Sequence, residues 1–219
     1  MPFWLIVLCV KQSRVLATVF LLFGVGFAAS QTYLAQDAGA NPETAFLSPE
    51  QYTNAFFGFS LRLPKDPPFQ ESSVRFKTGP SRLLLDLQTL TASFNYKPRL
   101  TLLVAWADQS SDLSAEAVRK VAGSPKNADT KRVEIAGKEF WRAAWEEKNP
   151  EGKSYTVKFA TAANGYILAF MVTSFDRRLA SRMEHYIEQI KFFDSVKARE
   201  IAGPTAKPYQ PRFSSESPE

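Results

Sequence analysis

Apolar positions along the chain recur at a spacing of two in some stretches and of three to four in others, and the switches mark out the elements. Tyr52 to Asn54 and Phe59 to Leu63 read as two short strands around Phe57-Gly58; the second alternates apolar and polar residues and stops at Pro64. Residues 65–80 are rich in Pro and Ser and read as loop. Leu83 to Leu90 carries both spacings, helical at Leu83, Leu84 and Leu87 and alternating at Leu83, Leu85 and Leu87, and is read as a strand. Arg99 to Ala107 is apolar on both faces, the pattern of a central strand covered on both sides. Lys131 to Ile135 and Lys138 to Glu147 flank a tight Ala136-Gly137 turn, and Tyr155 to Ala162 and Tyr166 to Phe175 flank Asn164-Gly165, the strongest hairpin signal in the chain. The last of these strands is apolar on both faces and belongs in the sheet interior.

Two segments have helical spacing. Ser114 to Ala122 opens with an N-capping serine, has Glu116 at the positive end of the dipole, and places Leu113 and Val118 as a hydrophobic staple. The second runs from about Arg177 to Lys191 with Asp176 as N-cap; Leu179, Met183, Tyr186, Ile187 and Ile190 form one apolar stripe, and Phe192 and Phe193 close over the core. The expected architecture is α+β, an antiparallel sheet of about six to eight strands with two main helices on opposite faces.

The chain ends have a different character. Residues 15–29 are apolar and uncharged, with Lys11 and Arg14 before them and the small residues Ala28, Ala29 and Ser30 after. That is the layout of a secretory signal peptide, and the run is short for a membrane span of about 20 residues. Cleavage is expected after Ser30. A further apolar run from Pro2 to Val10 precedes the charges, which fits either a true start near Val10 or an uncleaved anchor spanning residues 3 to 29. Residues 31–50 read as a polar linker, 51–196 as one globular domain, and 197–219, with four prolines among polar residues, as a disordered tail.

Composition narrows the chemistry. The 219 residues carry a net charge of +5, and two of the positive charges, Lys11 and Arg14, lie in residues 1–30, which hold no acid. The rest lacks the concentrated basic face that nucleic acid requires. One cysteine, Cys9, and one histidine, His185, exclude a disulfide framework, a multi-thiolate zinc site and a multi-histidine metal site. No Gly-x-Ser-x-Gly elbow and no phosphate loop is present. His185 falls opposite the apolar stripe of its helix, where a surface role is expected. Glu146, Glu147 and Glu151 group around a strand end and read as a solvated turn. Arg178, Arg182, His185 and Gln189 form a polar stripe that could meet anionic lipid or an acidic partner, or simply face water. Trp141 and Trp145 share one face of a strand with Ala143 between them. They either fill core, with Tyr155, Val157 and Phe159 of the next strand beside them, or stack on a flat ligand.

Tyr52-x-Asn54 followed by Phe57-Gly58-Phe59-x-Leu61-x-Leu63-Pro64 resembles the opening signature of PsbP-like domains, and the central hairpins and the closing Ile190-Lys191-Phe192 fit the same pattern over about residues 50–194. The resemblance implies an α/β/α sandwich on an antiparallel sheet, of bacterial envelope type. The family includes the extrinsic subunit of the photosynthetic oxygen-evolving complex, a nuclear-transport accessory factor and bacterial envelope proteins. It works mostly by binding or by supporting assemblies and not by catalysis, and no site residue carries over. The expectation is therefore a secreted or periplasmic, non-catalytic domain that binds a protein or envelope partner, without cofactor, metal or nucleic acid, and meeting membrane only through an uncleaved N-terminal segment. The alternative is a small-ligand-binding module using an aromatic face of the sheet. The candidate contact residues are Trp141, Trp145, Arg178 and Arg182.

Overall fold

The computed structural model describes residues 41–72, 81–91, 99–123, 128–150 and 152–211. The signal or anchor segment, residues 31–40 of the linker, Glu151 and residues 212–219 lie outside the described residues. The elements run β1 (Ala45–Ser48), β2 (Gln51–Asn54), β3 (Phe59–Arg62), β4 (Gln70–Glu71), β5 (Arg82–Thr91), β6 (Arg99–Gln109), α1 (Ala115–Ala122), β7 (Asp129–Ile135), β8 (Lys138–Asn149), β9 (Gly152–Ala163), β10 (Tyr166–Ser174), α2 (Arg177–Glu188), β11 (Lys191–Phe192), a 3₁₀ turn (Ser195–Lys197), α3 (Ala198–Ala202) and β12 (Lys207–Tyr209).

The strands form two antiparallel sheets. The large one has seven strands in the order β4-β5-β6-β10-β9-β8-β7, and the small one five in the order β11-β3-β2-β1-β12. The α+β class and the antiparallel sheet with a helix on each face are as the sequence reads. Two strands of the second sheet, β2 and β3, are legible in the sequence, but the sheet itself is not foreseen, because β1, β11 and β12 are only two to four residues long. The two long apolar segments become β6 and β10, neighbours at the middle of the large sheet. Both expected turns are two-residue hairpins with positive φ at each central residue, Ala136 48° and Gly137 78°, Asn164 50° and Gly165 81°. These are the mirror-image turns whose twist matches that of paired strands.

The first face of the large sheet is closed. Leu87, Leu103, Phe159, Leu168, Phe170 and Val172 point into it, and the small sheet and α2 cover it. Phe59 of β3 meets Phe170 edge-on at 5.2 Å between ring centroids. The fully buried Tyr52 donates its hydroxyl to the Leu84 carbonyl at 2.9 Å, tying the two sheets. Asp176 caps α2 by accepting from the Arg178 and Leu179 amides, and the helix buries Leu179, Met183 and Ile187. On its flank Glu184 accepts from Arg142 Nε of β8 at 2.5 Å. The helix ends at Glu188 and not at Lys191, because Lys191 and Phe192 pair with β3. Gly58 is required here: its φ is +60°, and a Cβ would stand 2.2 Å from the Phe193 carbonyl oxygen.

Two domain boundaries are corrected. The globular part begins before residue 51, since β1 pairs with β2 and β12 within the stretch read as linker. The tail is also ordered as far as residue 211. Gln51 Nε2 donates to the Ile201 carbonyl, Arg199 lies over the Phe46 ring, and Tyr209 is buried edge-on against Tyr52 with its hydroxyl accepting from the Asp86 amide. Proline excludes helix interiors but not edge strands, and Pro208 lies within β12, at the edge of the small sheet.

Candidate functional site

The second face of the large sheet is built differently. Strand parity and register arrange its side chains in rows that cross the strands. One row reads Trp141, Ala160, Ala169, Trp106 and Leu83 from β8 to β5. The two alanines leave a shallow channel between the two indoles. Helix α1 packs here over β8, β9 and β10, burying Val118 and Ala122. Ser114 caps the helix by accepting from the Ala117 amide, and Glu116 pairs with Arg119 at 2.9 Å.

The next row is Ala143, Lys158, Met171, Val104 and Asp86, and the one beyond it Trp145, Thr156, Thr173, Leu102 and Gln88. Of these, Ala143, Val104, Thr156 and Gln88 are buried, and Leu102 and Met171 pack against the cluster that holds Val118 and Ala122 of α1. Trp145, Met171, Thr173 and Leu102 are only half-buried, and Leu90 beyond them is 52 % exposed. Within this surface Lys158 sits with its ammonium 5.0 Å from the centroid of the buried Trp106 ring. Burial pushes its pKa below the usual lysine value, and the Asp108 carboxylate works against that shift. At the other end of the row, burial raises the Asp86 carboxyl and a hydrogen bond from Ser72 opposes it.

The four sequence-derived contact residues do not form one site. Trp141 and Trp145 are on the second face, half-buried, with the Arg132 guanidinium 5.0 Å from the Trp141 ring. The Trp141 Nε1 is buried and has no hydrogen-bond partner. Arg178 and Arg182 are exposed on α2, which packs against the first face. The expected packing of both indoles against Tyr155, Val157 and Phe159 is also corrected. Trp141 faces Ala160 and Trp145 faces Thr156, so Val157 and Phe159 project from the opposite side of the sheet. The register, with Asn149 opposite Gly152, makes odd positions of β8 face even positions of β9. Lys158 and Trp106 were not singled out from the sequence, although a lysine inside Val157-Lys158-Phe159-Ala160 is the visible signal.

Elsewhere, His185 and Glu146 have partners. His185 is exposed, bonded to Gln189 at 2.9 Å and 3.7 Å from Glu188. Glu146 is held below the usual carboxylate range by its hydrogen bond from Lys153 at 2.7 Å, with Arg177 at 3.6 Å. A pocket of about 310 Å³ opens beside Trp141 between α1 and β8–β9, lined also by Leu113, Val118, Glu139 and Thr161. Among the described residues no group of three His, Cys, Asp or Glu is placed to hold a metal ion. No helix among them is long and apolar enough to cross a membrane.

No family model and no curated protein matches the chain. Cyanobacterial PsbP is among the solved structures it resembles. That protein, from Synechocystis sp. PCC 6803, aligns with a TM-score of 0.43 and 8 % identity over 71 % of this chain and 96 % of its own. A Bacteroides thetaiotaomicron protein aligns at 0.40 and 14 %, over 70 % of this chain and 49 % of its own. LpqN, involved in cell envelope biogenesis of Mycobacterium tuberculosis, aligns at 0.36 and 16 %, over 66 % and 98 %. At these scores the likeness is partial, and none of the three lends this chain a role.

Proposed function

We propose that this chain is a non-catalytic binding domain that works outside the cytoplasm and holds a protein or envelope partner on the second face of its large sheet. One observation carries the reading. A face of seven strands is covered at one end by a helix of 8 residues, and the remaining rows expose half-buried apolar side chains, Trp145, Met171 and Leu102 among them. Contiguous apolar surface of this kind marks interaction sites. The basic, apolar and small-residue order of residues 11–30 supports an exported location. Photo-crosslinking in the native host tests it. A crosslinking residue at position 173, on the second face, is expected to give a discrete adduct, and one at position 181, on the outer side of α2, none. Adducts from position 181 alone, or from neither, would overturn the reading.

A second reading, a small-ligand module, has its own support in the pocket beside Trp141, whose volume is at the low end of ligand sites at about 300–1,000 Å³. The ligand would be flat and apolar. Its binding should change tryptophan emission, and Trp141→Phe should abolish that response.

A further inference from the structure

The large sheet ends differently at its two edges. β4, at one end, is two residues long, and β11 and β12 at the ends of the small sheet are two and three. β7, at the other end, has seven residues, and Asp129, Thr130, Lys131, Arg132 and Glu134 are exposed along it. The Ala136-Gly137 turn closes on the bonded pair Ile135 and Lys138, so alternate residues of β7 turn their amides and carbonyls toward β8 and the others turn them away. Those turned away belong to Thr130, Arg132 and Glu134. The carbonyl of Glu139, opposite Glu134, fits that alternation, since it accepts from Thr161 of β9. An edge of this length is a template for a further strand unless its charges repel one.

The charges here select the strand. Glu134 stands directly opposite Glu139 and, among the described residues, has no ion pair, while Arg132 lies 3.4 Å from Glu139. Like charges opposite each other in a ladder are destabilising, so Glu134 lacks a cation on its outer side. A second copy of β7, antiparallel and centred on Val133, supplies one. Arg132 of each copy then lies opposite Glu134 of the other, the two Val133 side chains meet, and the outward backbone groups of Arg132 and Glu134 bond across the junction. Val133 packs half-buried against the first-face cluster, so the contact extends that apolar surface. Centring on Lys131, Arg132 or Glu134 would set like charges opposite one another. We propose that two copies of this chain pair along β7 in the Val133-centred register, joining their large sheets edge to edge. The pairing leaves both faces of the sheet as they are and does not depend on what the second face binds.

Cysteine crosslinking tests it. The full chain carrying Cys9→Ser is expressed with single added cysteines, and disulfide-linked dimers are timed under mild oxidation. A non-bonded antiparallel pair, with Cα atoms about 4.5 Å apart, suits a disulfide. Val133→Cys should crosslink at least about tenfold faster than Lys131→Cys or Ser181→Cys on α2. In the Val133→Cys chain, Arg132→Glu or Glu134→Arg alone should slow the crosslink about tenfold. The two reversals together should restore it, as should co-expression of the two single-reversal chains. Near-UV circular dichroism confirms that each variant keeps its fold. A rate for Val133→Cys no greater than that of Ser181→Cys, or crosslinking that neither charge reversal slows, would overturn the proposal.

Discussion

The two faces of the large sheet come from the same strands yet solve different problems. On the first face, Leu103, Phe159, Leu168, Phe170 and Val172 are fully buried, and a second sheet and a 12-residue helix close over them. On the second, two alanines between two indoles seat a short helix, and the rows beyond hold a lysine, threonines and half-buried apolar groups. The first face therefore carries stability. The second keeps its side chains near water at a site where burial would have stabilised the fold further. Surface left open at that cost is where binding is to be sought.

The sharpest break between the faces is in stability. Phe170→Ala empties a site at the middle of the closed core, and a loss of about 3–5 kcal/mol in urea unfolding is expected. Tyr209→Ala should cost about 3 kcal/mol, since it removes a buried ring that locks β12 against Tyr52. An unchanged midpoint would mean that the C-terminal segment is not docked. Trp145→Ala on the open face should cost less than about 1.5 kcal/mol, because much of its ring is already wet; a loss equal to that of Phe170→Ala would show the two faces to be equally closed.

Titration gives smaller effects with opposite signs on the two sides. Tyr209 is pushed up to about 12 by burial, and burial raises Tyr52 further. Both are more acidic in the unfolded chain, so stability should fall as pH rises from about 10 toward 12. Lys158 is displaced downward, so the unfolded chain binds its proton more tightly and stability gains as pH rises through the folded lysine's range. Lys158→Met removes that penalty and should modestly raise the midpoint at neutral pH. A lowered midpoint would mean that the ammonium has a stabilising partner.

Much of this contrast is legible in the sequence. The double-sided apolar patterns of β6 and β10, the Asn164-Gly165 turn and the caps Ser114 and Asp176 are local signals, and the structure uses each of them. Three features escape local reading. Alternation on β8 and β9 gives two faces to each strand but does not say which faces match; the register, with Asn149 opposite Gly152, decides that, and it sets the tryptophans opposite Ala160 and Thr156 instead of Val157 and Phe159. The ordered tail depends on Tyr209 meeting Tyr52 and Asp86, contacts more than 120 residues apart in sequence. The open half of the second face follows from the shortness of α1, which its own sequence states, and from the strand order, which no local pattern states.

Adjacent residues of β10 test the central contrast directly, because Met171 faces the open side and Val172 the closed one. In a chain carrying Cys9→Ser, Met171→Cys and Val172→Cys are prepared separately and their reaction with a soluble disulfide reagent is timed under native conditions. The account predicts that the thiol at 171 reacts within a few fold of the rate of a surface cysteine, and that the thiol at 172 reacts only at the rate of opening of the core. Equal protection of both thiols would contradict it.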